Sequence, residues 1–164
     1  MSFTLNHKLA WLVFQIKYSG AVDSDYDDDV ANEAWGLITS IKIKGLSNLY
    51  TLALPNNGVF SGTGDISSWN TNDNAPTPQR LTTSAVFFSQ ALVPAMPFVT
   101  DRNYTLLITT VNRTTPIEIP ISLTGQVDAQ VGAKHIITLT FYASEVNATG
   151  VITPWTDGAQ VVEM

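Results

Sequence analysis

The sequence predicts an all-β protein, and within that class a sandwich of two packed sheets. Segments in which apolar and polar residues alternate recur along the 164 residues, and clusters of Gly, Pro, Asn and Asp separate them. No window of helical length shows a clean 3.6-residue apolar period. We count about eight or nine strands, a number typical of a two-sheet sandwich within a single domain, residues 1–164.

The first predicted strand, residues 3–18, is apolar on both faces from Ala10 to Phe14, as expected in the middle of a sandwich. An acidic connection, residues 19–36, follows it. In the second strand, residues 37–44, one face is predicted to be buried and the other, with Lys42 and Lys44, to be exposed. The predicted buried face consists of Leu37, Thr39, Ile41 and Ile43.

The rest of the chain alternates strands with turns. Residues 55–58, Pro-Asn-Asn-Gly, are a strong turn signal, and the polar residues 61–80 predict an exposed connection that Trp69 interrupts. The remaining predicted strands are residues 49–54, 59–60, 81–89, 103–111, 117–123, 134–142 and 150–155. We expect the core to contain Leu9, Trp11, Val13, Ile41, Ile43, Leu139, Phe141 and Trp155.

Composition and charge exclude several classes of function. The formal net charge is −6 and the eight Lys and Arg residues are scattered singly. The sequence therefore lacks the basic stripe that binds nucleic-acid phosphates and the basic cluster that binds anionic lipid. The absence of cysteine removes disulfides, thiol nucleophiles and thiolate metal sites. No segment has the roughly 20 apolar residues of a membrane span, so we expect no direct membrane insertion.

Residues with catalytic potential do not form a known motif. His7 and His135 lie in separate predicted strands without metal-ligand spacing. Neither a G-x-S-x-G nucleophile turn nor a phosphate-binding Gly loop occurs. Glu118 is predicted to face outward on a strand and Glu145 to lie in a turn, which does not favour a glycosidase pair. We predict that the protein is not an enzyme and uses no cofactor.

The acidic connection contains the candidate metal ligands Asp23, Asp25 and Asp27. Carboxylates at alternate positions are typical of a calcium-binding loop. This segment departs from that loop because Asp28 stands where the sharp turn needs Gly and Ala34 stands where a bidentate Glu is needed. A solvated acidic loop is therefore favoured over a calcium site.

Tryptophans in or beside predicted loops are candidate ligand-binding residues. Trp35 and Trp69, with Tyr26 and Tyr104, are candidates for a flat platform on which a sugar ring stacks, so a carbohydrate-binding module is the alternative function. The interpretation that we favour is that the tryptophans close the ends of the core, because aromatic side chains bury large apolar areas.

Four stretches of the chain, in this order, resemble the fimbrillin superfamily, the pilins and pilin-like adhesins from which Gram-negative anaerobes build type V pili. Together they span nearly the whole chain. The stretches are Leu5-Asn6-His7-Lys8-Leu9-Ala10, residues 38–45 (ITSIKIKG), Leu92-Val93-Pro94-Ala95, and the ending from Gly132 through Trp155-Thr156-Asp157-Gly158.

The resemblance implies a fold, a location and a mode of assembly. It implies a transthyretin-like sandwich that is the C-terminal domain of a longer, two-domain lipoprotein precursor, exported to the cell surface and outer membrane as part of a fimbria. Its partners would be other pilin subunits, joined by strand exchange, and glycans or proteins on host or bacterial surfaces. The short tail, residues 159–164, favours an accessory or adhesin-like subunit, and a shortened sequence explains that tail equally well.

Overall fold

The computed structural model describes residues 9–19, 28–44, 51–53, 59–61, 64–70, 75–94, 103–122, 133–142 and 145–154. Within these ranges it contains one helix, α1 (Asp28–Trp35), and ten strands. The strands are β1 (Leu9–Tyr18), β2 (Ile38–Ile43), β3 (Thr51–Ala53), β4 (Val59–Ser61), β5 (Ile66–Ser67), β6 (Val86–Pro94), β7 (Asn103–Thr110), β8 (Ile117–Ser122), β9 (Ala133–Phe141) and β10 (Val146–Pro154).

Eight of these strands form two sheets of four. Sheet I has the order β10-β9-β1-β6, and sheet II has the order β5-β2-β7-β8. Strands β3 and β4 pair separately. Neighbouring strands are antiparallel except β1 and β9, which run parallel. The prediction of an all-β protein with a two-sheet sandwich is confirmed.

Strand β1 lies inside sheet I, between β6 and β9. Its even-numbered residues face the core between the sheets, where Ala10, Leu12, Phe14 and Ile16 are fully buried. The odd-numbered residues lie on the outer face, because successive side chains of a strand alternate. Val13 is buried there, but Trp11 is only half-buried, so its prediction as a core residue is wrong.

The predicted core residues of the other strands are buried. Ile41 and Ile43 of β2 and Leu139 and Phe141 of β9 have at most 1% of their surface exposed, which confirms these predictions. The side chains of Leu9 and Trp155 lie outside the described part of the chain. The Pro-Asn-Asn-Gly turn, residues 55–58, also lies outside it.

A β-bulge in β2 changes which residues are buried. The pairing of β2 with β7 shifts register between Ile38 and Ser40. One extra residue reverses the alternation of faces, and Ile38 is buried whereas Leu37 is exposed. The prediction that Leu37 and Thr39 share the buried face with Ile41 is therefore wrong.

Helix α1 lies in the segment that the sequence predicts to be an acidic connection. Its first two residues are Asp28 and Asp29. Gly36 ends the helix with a φ of 72°, and its N–H donates to Asn32 O at 2.8 Å. This left-handed residue after the last turn is a common helix end. Eight residues are too few for a recognisable apolar period, which is why the sequence did not predict the helix.

Candidate functional site

The described residues with catalytic potential lie apart from one another. No group of three or more His, Cys, Asp or Glu side chains able to hold a metal ion occurs in the described ranges. Glu118 accepts a hydrogen bond from Lys44 Nζ at 2.6 Å, and Glu145 accepts one from Asn147 Nδ2 at 3.4 Å. The candidate metal ligands Asp23, Asp25 and Asp27, together with His7 and Tyr26, lie outside the described residues.

His135 is the described histidine, and its environment is that of a core residue. Its exposed fraction is 1%, and neither ring nitrogen has a hydrogen-bond partner among the described residues. Burial lowers the pKa of His135 below its usual 6.5, because the charged form loses its hydration. An imidazole that no carboxylate or carbonyl orients lacks the arrangement of a general base in a catalytic triad.

Trp35, one of the two candidate ligand-binding tryptophans, closes one end of the core. Its side chain is 1% exposed, and its Nε1 donates to Tyr142 O at 2.6 Å. Its ring meets the Phe141 ring edge-on at a centroid distance of 5.5 Å, and the Arg113 guanidinium lies 4.1 Å from its centroid. Sugar stacking needs an exposed ring face, and this ring is covered.

Trp69, the other candidate, lies at one long side of the sandwich and is half-buried against the core. Its main chain pairs with Gln90 of β6, with N···O distances of 2.9 and 2.8 Å. The main chain of Trp69 therefore has a structural role at the edge of sheet I. Tyr104, from the same proposed platform, belongs to β7, and its side chain lies outside the described part.

On that long side, which we call the closed side, other parts of the chain pair with β2 of sheet II and with β6 of sheet I. In sheet II, Gln79 pairs with Ile38 at the start of β2, and β5 pairs with its end. Ser68 follows β5, and both its N–H and its hydroxyl donate to Ile41 O, at 3.0 and 2.7 Å. In sheet I, Trp69 pairs with Gln90, in the middle of β6. The chain from Ile66 to Trp69 thus crosses from one sheet edge to the other.

The opposite long side, which we call the open side, has β10 at the edge of sheet I and β8 at the edge of sheet II. No further described strand pairs with β8 or β10 at this edge, although Gly150 of β10 has a partner of its own. Strand β10 has nine residues, Val146–Pro154. An edge strand presents a row of N–H and C=O groups that another strand can pair with.

The hairpin of β10 with β9 determines which main-chain groups of β10 point toward β9 and which point toward the outer edge. Tyr142 N donates to Glu145 O at 2.7 Å, so this residue pair is hydrogen-bonded. Bonded and non-bonded pairs alternate in an antiparallel ladder. Asn147 and Thr149 therefore direct their main-chain groups toward β9, whereas Val146 and Ala148 direct theirs toward the outer edge.

Proline interrupts the edge of β8 but lies only at the end of β10. Lys44 N donates to Thr105 O at 2.9 Å, so Thr105 faces β2 and the next residue of β7, Leu106, faces β8. Leu106 pairs with Ile119, which leaves Pro120 facing outward without an N–H to donate. In β10, Pro154 is the last residue. Strand β10 is therefore the better template for a further strand.

Sequence reasoning did not find this site. The open edge depends on the order of strands in each sheet, and a pattern within one strand contains no such information. The signal that was available is composition, because β10 has no lysine and no proline before its last residue, whereas β8 has proline at its centre.

Comparisons with known proteins give the fold a precedent. No protein-family model and no curated protein matches the chain. Two crystal structures, each described as a "putative cell adhesion protein", are similar to it in fold. The structure from Bacteroides uniformis has a TM-score of 0.58 and 17% sequence identity over 92% of this chain. The structure from Bacteroides ovatus has a TM-score of 0.50 and 8% identity, also over 92% of this chain.

This chain spans about half the length of the proteins that it matches, 52% of the first and 46% of the second. At identities this low the similarity shows a shared fold alone, and it does not indicate that the chains share the residues of a binding site. No helix in the described ranges has the length and apolar character needed to cross a membrane.

Proposed function

We propose that this chain is a non-enzymatic protein of the cell surface that functions in adhesion, as a fimbrial subunit or an accessory pilin-like adhesin. The observation that carries the proposal is the fold shared over 92% of the chain with two structures described as putative cell adhesion proteins. The open edge of β10 supports a role in assembly. The order of sequence motifs that resembles fimbrillins supports the fimbrial form of the proposal.

Assembly would use the edge of β10 by strand addition. A strand from another subunit would form main-chain hydrogen bonds with the outward groups of Val146 and Ala148, and these bonds would provide affinity for many sequences. Specificity would come from alternate side chains. On the core side the incoming residues would meet buried Val146 and half-buried Ala148, so small apolar side chains fit; on the other side they would meet exposed Asn147 and Thr149.

The proposal extends to the whole protein. This chain would be one domain of a two-domain precursor, because it spans about half of each similar structure. The resemblance of its opening to the start of the C-terminal half of fimbrillins supports the C-terminal position. Export as a lipoprotein to the outer membrane would place it where adhesion occurs. A receptor on a host or bacterial surface, a glycan or a protein, would complete the function. A glycan site would have to use Trp69 rather than Trp35, whose ring is buried.

Cysteine cross-linking tests the assembly edge, because the chain has no cysteine of its own. Thr149→Cys places one thiol on an exposed position of β10, and Ser67→Cys places one on an exposed position of β5 at the closed side. In the assembled protein isolated from its native cells, we expect a thiol-specific cross-linker to join Thr149→Cys, and not Ser67→Cys, to a neighbouring subunit. Equal cross-linking at both positions, or none at Thr149→Cys in assembled material, would contradict assembly through β10.

Adhesion is tested separately by the binding of cells that lack the protein. Deletion of the gene should reduce attachment to a host-cell or bacterial layer, and the Ser67→Cys variant should restore it fully. Unchanged attachment after deletion would contradict the adhesive function while leaving the cross-linking result to be judged by itself.

A further inference from the structure

His135 is a titratable group buried in the core, and no described residue forms a hydrogen bond with it. It is the third residue of β9, Ala133–Phe141. It lies opposite Leu12 of β1 and opposite Ile152 of β10. Its exposed fraction is 1%, and within the described ranges both Nδ1 and Nε2 lack a partner. Because a buried polar group normally has a partner, this imidazole needs a physical account.

The described side chains beside His135 on the core face of sheet I are apolar. It faces the core, because it shares the parity of Ile137, Leu139 and Phe141, which are buried there. Across the register it meets Leu12 of β1, whose neighbours on that face, Ala10 and Phe14, are also buried. The described core-facing residues of β1 and β9 contain one other titratable group, Tyr18, which pairs with Phe141 at the other end of β9.

The nearest described cation does not reach the imidazole. Lys134 precedes His135 and therefore points to the opposite, outer face of sheet I. Its ammonium lies 4.7 Å from the centroid of the Trp11 ring, also on the outer face. Two described carboxylates belong to or flank the neighbouring edge strands: Glu118 of β8, which is paired with Lys44, and Glu145, which precedes β10. Neither forms a hydrogen bond with His135, whose two nitrogens have no partner among the described residues.

We propose that His135 is an acid-sensitive element of the sandwich, whose imidazole takes up a proton only when the sheets open around it. A neutral imidazole is tolerated in this apolar site, but an imidazolium without a partner is not, because it would lose its hydration with no compensating charge. Acidification therefore shifts the equilibrium toward an open or unfolded form in which His135 is hydrated. This inference is independent of the proposed adhesive function.

The direction of the pH effect follows from proton linkage. Burial lowers the pKa of His135 in the folded protein below 6.5, its usual value, which also holds in the unfolded chain. Between those two pKa values the unfolded form binds more protons, so folding stability falls as pH falls. The contribution of His135 is fully present above about pH 6.5 and is lost progressively below it, until the folded pKa is reached.

Unfolding by urea at a series of pH values between 7.5 and 5.0 tests the proposal. For the wild type, one linked proton raises the unfolding equilibrium constant by up to about tenfold per pH unit below 6.5. His135→Leu should lose this increment and show a flatter profile, and it should be no less stable at pH 5. His7→Gln, which removes the other histidine, is the matched control and should keep the wild-type profile. Identical profiles for the wild type and His135→Leu would overturn the proposal.

Proton NMR of the wild type keeps the proposal testable if His135→Leu fails to fold. The chain has two histidines, and loss of one imidazole resonance in His7→Gln assigns the other to His135. In the folded protein the Cε1 proton of His135 should show no protonation shift as pH passes through 6.5. A normal titration midpoint at or above 6.5 with the fold intact would overturn the proposal.

Discussion

The two long sides of the sandwich differ in what pairs with the strands at their edges. On the closed side, β2 pairs with Gln79, Ser68 and β5, and β6 pairs with Trp69 at Gln90. On the open side, β8 has a proline facing outward, and no further described strand pairs with the outward groups of Val146 and Ala148 in β10. On the closed side, main-chain groups of the edges therefore form hydrogen bonds within the same chain. On the open side, Pro120 interrupts the edge of β8, and outward groups of β10 can pair with another strand.

The difference indicates that stability and assembly are separated in this molecule. The closed side contains buried residues, among them Ile38, Ser68 and Leu81, so substitution of these residues should lower the free energy of unfolding. Exposed residues of the open side contribute little to the isolated domain, and their substitution should affect contacts with another chain instead. The following substitutions test this separation in order of decreasing effect.

The largest effect is expected for Leu81→Ala at the closed side. Leu81 is fully buried. Its N–H donates to Asn32 Oδ1 at 3.0 Å, and its carbonyl oxygen accepts from Asn32 Nδ2 at 3.1 Å. Truncation leaves a cavity, and we expect a loss of about 2–5 kcal/mol in the free energy of unfolding. Leu37→Ala, at an exposed position beside β2, should change it by less than about 0.5 kcal/mol. Equal losses in chemical denaturation would contradict the account of the closed side.

A smaller effect is expected for Ser68→Ala, which removes one hydrogen bond between the crossing segment and β2. The Ser68 hydroxyl is buried and donates to Ile41 O at 2.7 Å, while the main-chain bond to the same oxygen remains. We expect destabilisation of about 1 kcal/mol. The neighbouring Ser67→Ala, on an exposed position of β5, is the control and should unfold like the wild type. If Ser67→Ala lowered the free energy of unfolding more than Ser68→Ala, the segment that crosses between the sheets would not be held by the Ser68 hydroxyl.

The smallest effect is expected for Glu118→Gln on β8, at the open side. The Lys44–Glu118 ion pair is short, at 2.6 Å, but its side chains are 49% and 55% exposed. An exposed pair of this kind contributes about 0–1 kcal/mol. Whatever difference from the wild type is measured in low salt should disappear at about 1 M salt, where charges are screened within about 3 Å. A difference that persists in high salt would show that Glu118 acts through packing rather than charge.

The sequence predicted the fold class and most strands, because their apolar alternation is local. The hairpins β7–β8 and β9–β10 were located to within a few residues. The face of β1 that forms the core was chosen wrongly at Trp11, since both faces of this central strand are apolar and the sequence does not distinguish them. The bulge at Ile38 was also missed, because an extra residue in β2 is recognisable only against its partner β7.

The functional features were less predictable, and for a related reason. Strand β5 has two residues, too few for a recognisable pattern. The sequence therefore predicts an exposed connection where the structure has a segment that pairs with β2. The parallel pairing of β1 with β9 joins residues more than 100 positions apart, and it is this non-local order that leaves β10 at an edge. Trp35 was predicted both as an end plug and as a ligand site, and only the tertiary contacts with Phe141 and Tyr142 distinguish the two roles.

Amide hydrogen exchange, resolved to single residues, tests the central claim that β10 accepts a further strand at Val146 and Ala148. The amides of Gln90 and Ala148 are compared, since both point away from the middle of sheet I. Gln90 N donates to Trp69 O at 2.8 Å, so its amide should be protected in the isolated domain. The Ala148 amide should exchange much faster in the isolated domain and become protected in the assembled protein. Equal protection of Ala148 and Gln90 in the isolated domain, or no gain at Ala148 on assembly, would contradict the account.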